Sequence, residues 1–247
     1  MSALHNADCF TILPTLPKKS IQLVVVDLPY GQTACAWDER LDLEKMWKEL
    51  RRILKPNGKC VFFTTAKFGN ELINSNPKWF RYDLVWEKTN SVGFLLANKQ
   101  PLRTHELIYV FHNYYCPQGF EWIYNPQMTE GKPYMKANPA KESDVYGRQT
   151  LVHHANEGTR FPTSVIKIKK DNRNKKLHST AKPVELCEWL IKSLSNEGDM
   201  VLDFTMGSGS TIIACIHTNR NYTGIEKNAE IFKVADERIK EAIKLKN

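Results

Sequence analysis

The six cysteines, at positions 9, 35, 60, 116, 187 and 215, form no CxxC pair. That excludes the usual zinc-ribbon spacing and leaves no disulfide framework, so a reducing cytoplasm is the expected setting. No apolar run approaches the roughly 20 residues that a membrane-spanning helix needs. Residues 1–10 lack a basic segment followed by an apolar stretch, so no secretory signal is expected there. No internal repeat or low-complexity tract is evident. Acidic residues are the scarcer charge: 27 Asp and Glu against 35 Lys and Arg give a formal charge of +8. A basic excess favours a polyanionic partner through phosphate contacts and counterion release, and is weak evidence taken alone.

What is present is enough for a sizeable core. The chain has 247 residues, 42% of them hydrophobic, which predicts one large domain or one domain with an inserted module. Ile21–Asp27 (IQLVVVD) is a β-branched apolar run that reads as a strand buried on both faces. Leu43, Met46, Trp47, Leu50, Ile53 and Leu54 then recur at helical spacing, and Lys55-Pro56-Asn57-Gly58 is expected to stop that helix. Residues 60–64 (CVFFT) form the next expected strand, completing a βαβ unit and arguing for a parallel sheet. Residues 82–86 and 107–111 read as two more strands.

The rhythm returns near the C-terminus. Pro183 opens a helical pattern running to Leu194, a strand follows at 200–204, and a glycine-containing turn leads into a helix from about 210 to 217. A strand at 222–226 and a helix from about 229 to 244 close the chain. Between Asn113 and Lys176 the periodicity fades while Gly, Pro, Asn, Lys and aromatic residues accumulate. This stretch is expected to be an irregular insertion between two halves of one α/β domain spanning residues 1–247. Its end carries a dense basic run, Lys167, Lys169, Lys170, Arg173, Lys175 and Lys176. Read in isolation, such a run is an ordinary solvated loop.

Two motifs carry chemistry. The first, Asp27-Leu28-Pro29-Tyr30, directly follows the VVV strand. In an open α/β sheet, ligands sit beyond the carboxyl ends of strands, so the location suits a site. The residues suit one problem in particular. An aromatic exocyclic amine is a poor nucleophile because its lone pair is delocalised into the ring. Acceptors on its two N–H groups favour a pyramidal nitrogen and free that pair. The Asp27 carboxylate can take one N–H and the Leu28 backbone carbonyl the other. Pro29 biases Leu28 toward an extended backbone. Tyr30 offers a flat face on which a flipped base could stack. An ordinary strand-to-turn transition would explain the tetrapeptide equally well by itself.

The second motif is Asp203-Phe204-Thr205-Met206-Gly207-Ser208-Gly209-Ser210-Thr211. A strand, a glycine-containing loop and a helix make a nucleotide-type cradle, because glycine permits close backbone approach. No Lys-Ser or Lys-Thr follows the glycines, which excludes a P-loop, and the full GxGxxG pattern is also missing. Glu226 ends the next strand about 20 residues beyond, where an acidic side chain binds ribose hydroxyls in dinucleotide folds. Loop and acid together point to an adenosine-containing cofactor. A tight turn beside a structural glutamate is the plainer alternative.

With both motifs in hand, the chain resembles the amino-methylating DNA methyltransferases in their permuted, β-type arrangement, where the catalytic tetrapeptide precedes the cofactor loop. Four further segments match. Asn6-Ala7-Asp8-Cys9 followed by Leu16-Pro17 resembles the family's opening, whose aspartate lies at the cofactor's adenine. Trp86-Glu87-Lys88 resembles its W-x-K segment. His178-Ser179-Thr180-Ala181-Lys182-Pro183 resembles its H-P-T-x-K-P segment at the methionine end of the cofactor. Gly224-Ile225-Glu226 resembles its ribose-binding strand.

The resemblance implies a Rossmann-like, mostly parallel sheet with helices on both faces, and S-adenosylmethionine as cofactor. It places Asp8, His178, Thr180, Lys182, Asp203, Phe204, Met206, Gly207, Ser208, Gly209, Ser210, Thr211 and Glu226 at that cofactor. Asp27, Leu28, Pro29 and Tyr30 become the catalytic residues, with no metal. The insertion falls where the family carries its target-recognition region, so Lys169, Lys170, Arg173, Lys175 and Lys176 become expected contacts to double-stranded DNA. Two departures stand out: Leu28 replaces the usual proline, and Ser179 replaces the proline after the histidine.

The implied activity is site-specific methylation of the exocyclic amine of adenine in DNA. Aspartate at the first position of the tetrapeptide usually accompanies adenine in this family. The alternatives are a cytosine-N4 enzyme, an RNA or protein amide methyltransferase, and a non-catalytic DNA-binding protein of the same fold. Asn usually leads the tetrapeptide of the RNA and protein enzymes, and their cofactor loop comes earlier in the chain. A homodimer and a restriction-enzyme partner are left open.

Overall fold

The computed structural model describes residues 2–31, 40–113, 122–138, 141–145, 147–169 and 181–246. In chain order the first elements are β1 (Ala3–Asn6), α1 (Cys9–Ile12), β2 (Ile21–Asp27), α2 (Leu43–Ile53), β3 (Leu54–Thr64), α3 (Ala66–Ser75), β4 (Phe80–Val92) and β5 (Arg103–His112). Six short strands follow: β6 (Thr129–Glu130), β7 (Tyr134–Asn138), β8 (Lys141–Ser143), β9 (Gly147–Gln149), β10 (Val152–Asn156) and β11 (Thr159–Arg160). The chain then returns through β12 (Val165–Lys167), α4 (Val184–Leu194), β13 (Met200–Asp203), α5 (Ser210–His217), β14 (Asn221–Glu226) and α6 (Ala229–Lys246). Two compact units result, Met1–Asn125 with Ser164–Asn247, and Pro126–Thr163.

The larger unit is built on an eight-stranded sheet in the order β1-β14-β13-β2-β3-β5-β4-β12. Every neighbouring pair is parallel except the two made by β5. This is the mostly parallel, Rossmann-like arrangement that the sequence predicts. From β2 the chain moves outward to β3 on one side, and from β13 it moves to β14 on the other. The order therefore reverses between β2 and β13, and such a switch point opens a crevice at the carboxyl ends of the two strands.

The strand pleat explains why both faces are covered. In β2, Val24 and Val26 face the core shared with α1, α2 and α3, while Leu23 and Val25 face α4 and α5. Cys60 and Phe62 of β3 belong to the first face, Val61 and Phe63 to the second. Successive strand side chains point to opposite faces, so a strand between two helical layers must be apolar throughout. Helix α2 starts at Asp42, whose carboxylate accepts the Lys45 N–H at 3.0 Å, and it buries Met46, Trp47, Leu50 and Ile53. Helix α6 packs on α5 through Ala235, Ile239 and Ala242.

The structure differs from expectation in four places. Lys55-Pro56-Asn57-Gly58 does end the helix, but it enters β3 and not a turn; the pairing passes from Ile21 with Leu54 to Leu23 with Lys59, so an irregularity absorbs the extra residues. Strand β1 and helix α3 are additional to the expected elements, and β4 and β5 are far longer than the runs at 82–86 and 107–111. Pro183 is the N-cap of α4 and precedes its first turn.

The smaller unit is narrower than the stretch where periodicity fades. Its described residues form three antiparallel pairs, β7 with β10, β6 with β11 and β8 with β9. Asn156 ties its loop, accepting from the Gly158 N–H at 3.0 Å and from the Arg160 guanidinium at 2.5 Å. Among the described residues, no helix is long and apolar enough to cross a membrane, and no cluster of His, Cys, Asp and Glu could hold a metal ion.

Candidate functional site

A cleft of about 990 Å³ opens at the switch point. It is lined by Asp27-Leu28-Pro29-Tyr30 after β2, by residues 203–208 with Ser210 and Thr211 after β13, and by Glu226, Lys227 and Asn228 after β14. Asp8, Cys9 and Phe10 close one side, and Trp86, Lys88, Glu106 and Lys182 another. Segments distant in sequence thus converge because each follows the carboxyl end of a parallel strand or flanks one.

Asp27 anchors the first wall. Its carboxylate accepts from the Tyr30 hydroxyl at 2.7 Å through Oδ1 and from the Lys182 ammonium through Oδ2. Its backbone carbonyl accepts from Thr205 Oγ1 at 3.1 Å, which ties the tetrapeptide to the glycine loop. The Tyr30 ring leans on Phe68, with centroids 5.1 Å apart. Leu28 is buried, its side chain in the core beneath the site. That anchors the backbone locally without proline at this position.

Lys182 does not stand alone. Its ammonium also lies 3.4 Å from Glu106 Oε2, and Glu106 Oε1 is paired with Lys88. Two lysines and two carboxylates therefore make a balanced chain, Asp27–Lys182–Glu106–Lys88, along the cleft wall. Burial by itself would lower the pKa of Lys182, but the Asp27 and Glu106 carboxylates outweigh it and hold the ammonium above its ordinary value. Burial would likewise raise Glu106, yet Lys182 and Lys88 outweigh that and hold its carboxyl below the usual range. Glu106 is not one of the residues that the sequence motifs single out. His105-Glu106 sits inside an ordinary-looking strand, and only the fold brings Lys182 beside it.

The second wall is the cradle. Asp203 is buried; burial drives its carboxyl up to about 7, opposed by hydrogen bonds from Thr211 and the Thr205 N–H. The latter bond is 3.1 Å long, so Asp203 works from below as an anchor of the loop. Gly207 and Gly209 adopt φ of +51° and +83°, the left-handed region where glycine is favoured. A Cβ on Gly207 would meet nothing within 4 Å, so its face is open, whereas one on Gly209 would lie 3.1 Å from Ile239 Cδ1. Glu226 accepts from the Gly207 N–H at 3.0 Å and the Asn228 N–H at 2.8 Å. Each of its oxygens keeps a lone pair for a hydroxyl donor.

Asp8 caps α1, accepting the Phe10 N–H at 2.9 Å, and lies 3.4 Å from the Lys227 ammonium. Phe204 and Met206 lie in the loop, largely buried but lining the cleft, and the Ser208 carbonyl is held by Arg238. Carboxylates at 8 and 226, apolar walls at Phe10, Phe204, Met206 and Ile231, and an open glycine face suit an adenosine with a ribose diol. The residues present fit such a cofactor.

The structure thus brings together Asp8, the whole tetrapeptide, Lys182, residues 203–208 with 210 and 211, and Glu226. Gly209 supports the cradle from behind, at the N-cap of α5. His178, Thr180, Lys170, Arg173, Lys175 and Lys176 lie outside the described residues. Lys169 is described and exposed, just past β12 at the edge of the sheet.

The chain is similar to several known proteins. The family model described as DNA methylase, covering N6 and N4 methyltransferases, matches residues 21–237. The chain is 29% identical over 243 residues to the type II methyltransferase M.HpaI of Haemophilus parainfluenzae, covering 92% of this chain and 70% of that protein. It is 27% identical over 251 residues to the type II methyltransferase M1.MboII of Moraxella bovis, covering 96% and 95%. Among solved structures, an M1.HpyAVI–SAM complex superposes with a TM-score of 0.65 at 22% identity, covering 96% of this chain and 100% of that one. The cytosine-N4-specific PvuII DNA methyltransferase gives 0.66 at 15% identity, covering 99% and 92%.

Proposed function

The chain belongs to the N6/N4 DNA methylase family, and we propose that within it the protein methylates the exocyclic amine of adenine in double-stranded DNA, with S-adenosylmethionine as donor. The observation that carries the reading is the convergence of Asp27, Leu28 and Tyr30 with the glycine loop and Glu226 in one cleft.

S-adenosylmethionine supplies an electrophilic methyl group on a sulfonium sulfur. Glu226 and the open face of Gly207 would hold its ribose, and Asp8 with the apolar wall would hold its adenine. Asp27 and the Leu28 carbonyl each accept one N–H of the target amine, which localises the nitrogen lone pair for in-line attack. Both Asp27 oxygens already accept one donor, from Tyr30 and Lys182, and each has a second lone pair for the amine. Transfer would form the N–C bond as the methyl–sulfur bond breaks and a neutral thioether leaves; the Asp27 carboxylate would stabilise the positive charge developing on the nitrogen and is placed to take the departing proton. Tyr30 supplies the stacking face for the flipped base. No enzyme–base covalent bond is needed, and no cysteine nucleophile is required.

The order of the motifs, tetrapeptide before cofactor loop, fits the permuted β-type arrangement. Aspartate at position 27 favours adenine over cytosine. The region of residues 113–176 is assigned to target recognition, and Lys169, Lys170, Arg173, Lys175 and Lys176 to phosphate contacts. The reading is tested by tritium transfer from labelled S-adenosylmethionine to unmethylated duplex DNA, with total RNA as the competing substrate. Label in DNA alone supports it; label only in RNA, or cofactor binding with no transfer to either, contradicts it.

A further inference from the structure

The rim of the cleft carries a second feature that the catalytic reading leaves unused. Strand β4 runs toward the carboxyl edge of the sheet and ends at Val92, and β5 starts back at Arg103; both residues line the cleft. The connection between them therefore projects at the edge where a base must enter. It is not slack. Gly93, at φ +94°, opens a 3₁₀ turn over Phe94–Leu96. The turn closes on itself through Leu96 N–H to Gly93 O at 2.9 Å, Ala97 N–H to Phe94 O at 3.1 Å and Lys99 N–H to Leu96 O at 2.8 Å.

This rigid turn presents apolar side chains to water. Phe94 is 71% exposed, Leu95 fully exposed and Leu96 44% exposed. A self-bonded turn that holds three large apolar groups outward on a functional rim marks a contact surface. Its surroundings say with what. Lys88 is neutralised by Glu106, but between these two residues the chain contains Lys99, Arg103 and His105 and no acidic residue. That charge fits a polyanion. Three side chains on one turn are also far too little for a stable self-association interface, which buries roughly 1,200–2,000 Å².

We propose that Phe94 and Leu95 form a wedge that enters the DNA stack beside the target base and occupies the space it leaves on flipping. Apolar side chains between base steps lower the cost of the unstacking that extrusion requires, and a preformed turn loses little entropy on insertion. The flanking Lys99 and Arg103 side chains meet the adjoining phosphates. The inference rests on the DNA methyltransferase reading, and its test separates the two.

The test uses the full-length protein carrying Phe94→Ser with Leu95→Ser, and a conservative counterpart, Phe94→Leu with Leu95→Met. Three quantities are compared: cofactor affinity by calorimetry, tritium transfer to unmethylated phage lambda DNA, and permanganate oxidation of thymines in the bound DNA, which reports unstacked bases. The serine variant should keep its cofactor affinity, lose about tenfold or more in transfer, and lose the permanganate-sensitive thymines seen with the parent. The conservative variant should stay within about threefold of the parent on transfer. Transfer by the serine variant within threefold of the parent overturns the wedge. So does a transfer defect accompanied by a fall in sedimenting mass of the DNA-free protein, which would assign the turn to contacts between copies of the chain. A parent that unstacks thymines but transfers no label contradicts the methyltransferase reading and leaves the wedge standing.

Discussion

Lys182→Met removes the cation that separates two carboxylates, and its consequences follow from the charges around it. The ammonium pairs with Asp27 and lies 3.4 Å from Glu106, on a side chain only 11% exposed. Methionine fills similar space without charge, so Asp27 and Glu106 would face each other with only Lys88 to balance them. Breaking a buried pair by removing one partner costs roughly 3–5 kcal/mol. Asp27 and Glu106 are about 30% and 26% exposed, so solvent screens part of that, and about 2–4 kcal/mol is the expected loss. For a protein of this size that lowers Tm by roughly 4–8 °C.

The pH dependence gives the prediction its sign. Glu106 is held below its ordinary pKa, so its contribution to stability is present above the unfolded value, about 4.3, and is lost as pH falls through the lower folded value. Lys182 is held above its ordinary value, so its contribution is present below about 10.4 and is lost as pH rises through the higher folded value. The parent should therefore exceed the variant by a steady margin between about pH 4.3 and 10.4, with the gap closing as pH falls below that window or rises above it. Scanning calorimetry from about pH 3 to 11.5 measures it. Adding Glu106→Gln to Lys182→Met should recover much of the stability but not the methyl transfer, because Asp27 still lacks its anchor. A Lys182→Met protein with an unchanged Tm at pH 7, or a deficit that does not vary with pH, would refute the coupled chain of charges.

Three further outcomes are expected. Asp27→Ala should cut single-turnover transfer by roughly 10²–10³ while leaving cofactor affinity nearly intact, since the side chain serves the target amine; more than about a tenth of the parent rate retained would contradict the assignment. Glu226→Ala should weaken cofactor binding by roughly 1–3 kcal/mol in calorimetric titration and also lower Tm, because the same carboxylate secures the Gly207 and Asn228 amides. An unchanged dissociation constant with a lowered Tm would make Glu226 structural only. Neutralising Lys169, Lys170, Arg173, Lys175 and Lys176 together should flatten the slope of log affinity against log salt by about 0.9 for each phosphate that is no longer neutralised; an unaltered slope returns the run to a solvated loop.

The parts of the fold readable from sequence were those where one physical signal dominated. Strand β2 is apolar at every position from Leu23 to Val26 because helices cover both its faces, whereas a face open to water would show polar residues at every second position. The glycine loop and Glu226 were readable because their backbone and charge requirements are narrow. Helix α3 was not. It contains Gly69 and two asparagines, poor helix formers, and buries only Phe68, Gly69 and Leu72. Gly69 is there for packing: a Cβ would lie 2.5 Å from the Tyr109 ring. Lys55-Pro56-Asn57-Gly58 has turn composition, and although it falls within β3 it forms the irregularity between the paired Leu54 and Lys59. Glu106 was invisible for a different reason. Its role depends on Lys88 and Lys182, which reach it from elsewhere in the chain, and no local pattern encodes such a meeting.

The central claim is that Asp27 and the Leu28 carbonyl hold the exocyclic amine of adenine. Unmethylated genomic DNA treated with the protein and S-adenosylmethionine, digested to nucleosides and analysed by mass spectrometry, tests it most directly. The account predicts N6-methyladenine as the dominant product, formed roughly 10²–10³ times more slowly when Asp27→Ala replaces the parent. N4-methylcytosine as the dominant product, with little methylated adenine, would contradict the choice of base.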